Sequence, residues 1–566
     1  MTSPGEATAL IVGVTSHRDL EAAQVPVLRA RLLAVLTELR SQFPALSLVV
    51  LSPLAEGGDR LAAEVALEQG ARLIVPLPMP ADMYAEDFPS PASREQFERL
   101  LAQADVVELP VPSADLEELR KPGPLRDRQY LRTGLYIANH CHVLLALWDG
   151  SDTGGTGGTA QIVQYYLGGP LPGARRARDR LRQMLAGDDD SLVLHLPARR
   201  GKPIDGPLAP GQPVDSGQLD EEPAWVTSSG RRSLAAGMPP EYRRIFERMQ
   251  TFEHDRRDAA DAIPADWPPD PAEHALHVAD AMAVRFQHRI GWSMRAIHVL
   301  AVLMGLAFLL YADLGAPDWM LWIFLSFFVT GLVIAIVAHR RDWHRKYIDY
   351  RALAEGLRVQ TFWRLAGLTM AGDPEFAHDN FMQKQDVELG WIRNVMRQVG
   401  LMPRPQIDDA AQAVDAVVEA WVGGPGQSGQ LAYYERKATL RERHHLRTKA
   451  LGKVCLWASI GISLFLALFH GGLEDLTRKL LVTVMGALSL IAAVREAYAY
   501  RKADKELVKQ YRFMHRIYRN ARMALDAAES TQERREILCA LGEAALDEHA
   551  EWALMHRDRP IEHGRP

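Results

Sequence analysis

Three glycine-rich turns in the first third of the chain hold the residues best suited to chemistry. The first reads Gly13-Val14-Thr15-Ser16-His17-Arg18. The second, Ser52-Pro53-Leu54-Ala55-Glu56-Gly57-Gly58-Asp59-Arg60, runs into a helical pattern. The third follows Trp148-Asp149-Gly150 and reads Gly154-Gly155-Thr156-Gly157-Gly158-Thr159. Glycine lets backbone N–H groups approach a phosphate, and a helix N-terminus favours an anion. A tight strand-to-helix turn would account for each segment alone. Two such turns at the strand ends of one sheet point to a nucleotide pocket.

The candidate ligand-binding residues follow. Gly13, Thr15, His17 and Arg18 come from the first turn, and Glu56, Gly57, Gly58 and Asp59 from the second. Gly154, Gly155, Thr156, Gly157, Gly158 and Thr159 form the third, with Gln161 just behind it. His17 and Arg18 could meet phosphate or ribose, or be a surface capping pair. Glu56 and Asp59 could hold ribose hydroxyls, or Asp59 could cap its helix. Pro78 ends a strand and would shape the pocket wall. Asp127, Gln129 and Tyr130 open a helix, where capping is the alternative account. No Lys follows the second or third turn, so the phosphate loop of ATP-hydrolysing proteins is absent.

These turns need a scaffold, and the residues from 8 to 198 alternate strand and helix signals. Apolar runs lie at Ala9–Val14, Leu48–Leu51, Leu73–Leu77, Val106–Leu109, Val143–Trp148 and Leu192–Leu196. Helical patterns lie between them at Val25–Phe43, Asp59–Gln69, Ser93–Ala104 and Arg126–Cys141. Short apolar strands separated by helices predict an α/β domain with a parallel sheet covered on both faces. Ligands of such sheets bind outside the carboxyl ends of the strands, where the turns sit.

The segment SPLAEGGDRLAAEVALEQGARLIVPLP resembles the glycine turn, Asp-bearing helix and next strand of DNA-processing protein A. The GGTGGT turn resembles the phosphate-binding turn of LOG-type nucleotide phosphoribohydrolases. Both belong to the SLOG superfamily of Rossmann-like domains, and the resemblance covers residues 8 to about 198. It implies binding of a nucleotide, such as a cyclic nucleotide second messenger or an ADP-ribose derivative, with no other cofactor. LOG enzymes follow this turn with a catalytic Glu, whereas here Ala160, Gln161 and Ile162 follow Thr159. Gln161 cannot act as a carboxylate base or stabilise an oxocarbenium charge, so the resemblance implies binding and no catalytic residue.

Further along, the chain turns apolar. Ala296–Ala312 and Trp319–Ala338, the latter WMLWIFLSFFVTGLVIAIVA, are joined by the polar link Asp313–Asp318. At about 1.5 Å per residue the second is long enough for a hydrocarbon core of about 30 Å. A second pair, Val454–Phe469 and Leu480–Val494, is short for a span unless flanking Lys and Arg snorkel, and buried helices in a soluble core are its alternative. The expectation is an α-helical membrane region of two transmembrane hairpins, four helices in all. Domains are expected at 1–200 (ligand-binding), 201–240 (a Pro-, Gly- and Ser-rich flexible linker), 241–400 (the first hairpin, 296–312 and 319–338) and 401–566 (the second, 454–469 and 480–494).

Basic residues flank the spans. Arg285, Arg289 and Arg295 precede the first, and Arg340, Arg341, Arg345 and Lys346 follow the second. Arg441, Arg443, Arg447, Lys449 and Lys453 precede the third, and Arg495, Arg501, Lys502 and Lys505 follow the fourth. The positive-inside rule then predicts a multi-pass protein of the inner, cytoplasmic membrane with its soluble parts facing the cytosol. The first 24 residues lack a basic n-region, so no signal peptide is expected. Formal net charge is −6 and mean hydropathy −0.13, giving no nucleic-acid footprint; the basic clusters suit anionic headgroups. Cys141, Cys455 and Cys539 form no disulfide framework, and no zinc spacing is present.

After the first hairpin, YRALAEGLRVQTFW resembles the post-hairpin helix of SLATT-type membrane effectors of prokaryotic conflict systems. LGEAALDEHAEWALMHRDRP resembles their closing helix. Together the resemblances imply a homo-oligomeric membrane effector of antiphage defence. It would sense a nucleotide second messenger and permeabilise or gate the bilayer as a pore. The alternative is a membrane-tethered, phosphoribohydrolase-like enzyme. A third reading makes the sheet domain an interaction module.

Overall fold

The computed structural model describes residues 7–111, 115–151, 157–169, 191–201, 222–259, 270–369, 381, 387–402, 409–424, 428–469, 472–502 and 504–557. The chain divides into two compact units. The first takes Met1–Val278, Gly356–Arg364 and Leu368–Gln406; the second takes Ala279–Glu355, Leu365–Gly367 and Ile407–Pro566.

The first unit is built on a mixed, mainly parallel sheet in the order β4-β3-β2-β1-β5-β6-β7-β8. β1 (Ala9–Ser16), β2 (Ser47–Leu51), β3 (Arg72–Leu77), β4 (Asp105–Glu108), β5 (Val143–Trp148) and β6 (Val193–Pro197) run parallel. They coincide with the six apolar runs to within a residue or two at each end. β1 and β5 are buried along nearly their whole length, which is why ALIVGVTS and VLLALW are continuously apolar rather than alternating.

The connections are helical: α1 (Val25–Gln42), α2 (Gly58–Glu68), α3 (Ala81–Ala85), α4 (Pro91–Leu101), α5 (Leu116–Leu119), α6 (Pro124–His140) and α7 (Thr159–Tyr166). On α1, Leu28, Leu32, Val35, Leu36 and Leu39 are buried, the stripe expected of a helix covering a sheet. α6 lies on β1 at Gly13, where a Cβ would come within 2.7 Å of Ile137 Cγ2 and 2.8 Å of Cys141 Cβ.

The segment expected to be a flexible linker, 201–240, holds a hairpin in its described part. β7 (Ala224–Thr227) and β8 (Gly230–Ser233) pair antiparallel and extend the sheet from β6. Buried Trp225 anchors β7. Composition hid this hairpin because its stability depends on an edge strand supplied from elsewhere.

The remaining helices are α8 (Pro240–Asp258), α9 (Pro271–Leu314), α10 (Trp319–Arg340), α11 (Trp343–Leu365), α12 (Gly390–Gly400), α13 (Ala410–Val417), α14 (Gly429–Phe469), α15 (Asp475–Lys502), α16 (Asp504–Ala527) and α17 (Thr531–Arg557). α8 and α12 belong to the first unit, which is therefore wider than 1–200. Glu253 of α8 is buried, accepts from Thr8 N at 3.1 Å and Oγ1 at 2.9 Å, and pairs with Arg256 and Arg257. Gln398 of α12 accepts from the Ala9 N–H at 2.8 Å and donates to the Ala7 carbonyl at 2.7 Å. His142 Nδ1 accepts from the Ile11 N–H at 3.2 Å, while Nε2 lies 2.9 Å from the Asn394 carbonyl oxygen. The backbone at the start of β1 must be satisfied, and its partners lie far along the chain.

Among the described residues, four helical runs are long and apolar enough to cross a membrane: Pro271–Leu314, Trp319–Arg340, Gly429–Phe469 and Asp475–Ala527. None of the most apolar stretch of α10 is buried, and Trp322 and Phe328 stand exposed. Continuous apolar surface of this extent suits hydrocarbon rather than water. The segments 454–469 and 480–494, short in isolation, are parts of helices of 41 and 28 residues. Within the second unit, small residues allow close helix contacts. A Cβ on Gly305 of α9 would lie 2.4 Å from Leu490 of α15, and one on Gly486 would lie 3.0 Å from Leu309. Ser459 Oγ of α14 donates to the Met485 carbonyl at 3.1 Å and lies 2.6 Å from Ser489 Oγ.

Candidate functional site

Sheet order reverses direction between β1 and β5: the chain first builds outward to β4, then returns to β5 on the other side of β1. Loops leaving adjacent strands in opposite directions open a crevice at their carboxyl ends. A cavity of about 330 Å³ occupies that position. Thr15 to Asp19 border it at the end of β1 and just beyond, Ala55 and Asp59 after β2, and Pro78 and Tyr84 after β3. Gly157, Gly158 and Thr159 border it at the start of α7. Its volume is at the lower end of the range for small-molecule sites.

The turns are locked to one another. Gly57 has φ +82°, and a Cβ there would lie 2.3 Å from the Arg18 carbonyl oxygen. The Gly58 N–H donates to the His17 carbonyl at 3.1 Å, and a Cβ on Gly58 would lie 2.6 Å from Ser16 Cβ. The second turn is thus pressed onto the end of β1. Thr159 Oγ1 donates to the Ser16 carbonyl at 2.9 Å and ties the third turn to the same point. Leu54, buried in the second turn, holds φ at 57°, a conformation costly for a side chain that branches.

Charge in the cavity is uneven. Ser16 Oγ donates to Asp59 Oδ1 at 2.6 Å. Burial pushes the Asp59 carboxyl up to about 7, against the opposing pull of Ser16 and Arg18. The Arg18 guanidinium stands 5.1 Å over the Tyr130 ring and makes no ion pair among the described residues. The Tyr130 hydroxyl donates to Asp87 and accepts from Arg126 Nε at 2.7 Å; burial and the Asp87 bond push its phenol up to about 12. Burial likewise raises the Tyr84 phenol, so both rings are neutral. Behind them, Asp149 accepts from Ser151 N at 3.0 Å and Oγ at 2.6 Å. It lies 3.2 Å from His17 Nε2 and 3.3 Å from Arg200 Nε. Burial would raise the Asp149 carboxyl, but the bonds to His17 and Ser151 outweigh it and hold it well below the usual carboxylate range.

The structure brings Thr15, His17, Arg18, Asp59, Gly157, Gly158 and Thr159 to the cavity. Gly154, Gly155 and Thr156 lie outside the described residues. Five expected residues have other work and do not border the cavity. Gly13 makes room for α6, and Glu56 accepts from Ser93 Oγ on α4. Gly57 and Gly58 serve close packing on β1, and the Gly58 amide is already taken by His17. Gln161 Oε1 accepts from the Gly157 N–H at 2.9 Å, closing the third turn from inside. Ser16, Tyr84 and Arg200 border the cavity and were not singled out from sequence, while Pro78 and Tyr130, further pocket candidates, border it as well. Tyr84 could have been found by the rule that led to the other turns, since it follows the end of a parallel strand.

These groups suit a phosphate-bearing ligand. The first N–H groups of α7 have no intrahelical partners, and among the described residues no side chain caps them. Arg18 supplies positive charge beside the Tyr130 ring, and Asp59 can accept from or donate to a hydroxyl. Among known proteins, no family model, no curated protein and no solved structure matches this chain.

Proposed function

We propose that the chain is a ligand-gated membrane effector. Its cavity binds a nucleotide second messenger, a cyclic nucleotide or ADP-ribose derivative, and its apolar helices, in a homo-oligomer, gate or permeabilise the inner membrane. The soluble unit faces the cytosol, and antiphage defence is the setting that the SLOG and SLATT resemblances favour. One observation carries the reading: a phosphate-suited cavity at the switch point of an α/β sheet occurs in a chain with four membrane-length apolar helices. Ligand would act by favouring the assembly it binds more tightly. The test uses full-length protein in dye-loaded liposomes, with ADP-ribose and cyclic dinucleotides as probes. Leakage should require a probe and be lost in Arg18→Glu. Leakage without any probe, or none although a probe binds inserted protein, would overturn gating.

Asp59 favours a second reading at the same cavity. A carboxyl titrating near neutrality beside an arginine is suited to general acid–base chemistry, so a tethered nucleotide-processing enzyme is the alternative. Chromatographic detection of steady base release that Asp59→Ala abolishes would establish it.

A further inference from the structure

The second unit holds a cleft of about 720 Å³ between α14 and α15. The two helices meet through the Ser459–Ser489 contact in their apolar stretches. Moving toward their polar ends, Gly452 meets Arg495: a Cβ on Gly452 would lie 3.0 Å from Arg495 Cδ. Glycine there lets the arginine lie flat across the facing helix. The cleft opens at this level and is two-sided in character. Leu456, Ala492 and Ala493 border its apolar end, and Lys449, Lys453 and Arg495 its polar end, with His445 beyond them. Lys449, Lys453 and Leu456 follow helical spacing and share one face of α14.

The cations are incompletely neutralised. Lys449 and Lys453 make no ion pair among the described residues. Arg495 has a side chain only 14% exposed; its Nη1 pairs with Glu496 at 2.5 Å, but its buried Nε has no hydrogen-bond partner among the described residues. Glu506 also borders the cleft. Three cations thus face two carboxylates, one already engaged. A shielded guanidinium donor without a partner calls for an acceptor, and the geometry calls for one attached to an apolar chain.

We propose that this cleft binds an anionic phospholipid. The phosphate lies against Lys449, Lys453 and Arg495, and an acyl chain runs along Leu456, Ala492 and Ala493. The proposal rests on the membrane part of the function given above and is independent of the nucleotide cavity. Basic residues at the end of an apolar helix attract anionic headgroups in general; what this cleft adds is a defined seat for one lipid.

The experiment uses full-length protein in uncharged detergent micelles, following thermal unfolding as lipid is added. Phosphatidylglycerol should raise the unfolding temperature; phosphatidylcholine and soluble glycerol 3-phosphate should not. K449Q/K453Q should weaken the apparent affinity for phosphatidylglycerol at least about tenfold. R443Q/R447Q removes the same charge from exposed positions on the same helix outside the cleft and should leave affinity unchanged. L456W fills the apolar end without changing charge; it should also weaken binding, and decides the matter if K449Q/K453Q does not fold. Equal loss in R443Q/R447Q, undiminished affinity in both cleft variants, or full stabilisation by glycerol 3-phosphate would overturn the proposal. Alkaline extraction of membranes separates the two ideas. Protein that washes off defeats the membrane reading and the lipid seat together, whereas retained protein without a phosphatidylglycerol preference defeats the seat alone.

Discussion

A carboxyl that titrates near neutrality makes the cavity's charge depend on pH. In the folded chain Asp59 holds its proton up to about 7, against an ordinary value of 3.8. Between those values the folded state binds a proton that the unfolded state has released, so this group's contribution to stability falls as pH rises and levels off above 7. Asp59→Asn should therefore melt higher than the unsubstituted protein at about pH 8, with the difference vanishing near about pH 4. Binding of ADP-ribose should weaken several-fold from about pH 6 to about pH 8, and Asp59→Asn should flatten that dependence, as titration calorimetry would register. That Asp59 borders the cavity was legible from its place behind the second turn. Its protonation was not, because that depends on burial and on Ser16 of a different strand.

At the scale of elements, glycines of one conformational class differ in what surrounds them. Gly57 and Gly70 both have positive φ, at +82° and +69°. A Cβ on Gly57 meets the Arg18 carbonyl at 2.3 Å, whereas one on Gly70 meets only the end of the Arg40 side chain at 3.8 Å. Gly70→Ala should cost about 1 kcal/mol, the conformational penalty alone, and Gly57→Ala about 3 kcal/mol or more, because backbone must move as well. Urea titration of the two variants would separate these terms, and equal midpoints would show that the packing of the second turn is not tight. The six parallel strands and the helices between them could be read from sequence, since continuous apolar runs and helical stripes are local signals. The β7–β8 hairpin could not be read that way. Nor could the packing of Gly57 and Gly58 on the end of β1, which depends on a loop distant in sequence.

Across the whole molecule, the first unit is assembled from separated stretches of chain. Residues 1–200 lack Glu253, which satisfies Thr8, and Gln398, which satisfies Ala9; they also lack β7, which covers the edge of β6. A fragment ending at residue 200 should fail to unfold cooperatively and should bind a hydrophobic dye, whereas the full chain should show a cooperative transition on calorimetry. A sharp transition in the fragment would show that α8 and α12 are dispensable. The apolar helices were evident because membrane length is a property of composition. The docking of α8 and α12 was not, because single hydrogen bonds across hundreds of residues leave no periodic trace.

That discontinuity gives synthesis an order. α8 emerges before α9 and α10, and α12 only after them. At about 5–20 residues per second, α12 follows α8 by a time on the order of ten seconds. Throughout that interval the first residues of β1 have no Gln398 to meet them, while two of the most apolar segments of the chain are already exposed. The nascent chain therefore presents two membrane-length apolar helices before α12 arrives to complete the first unit.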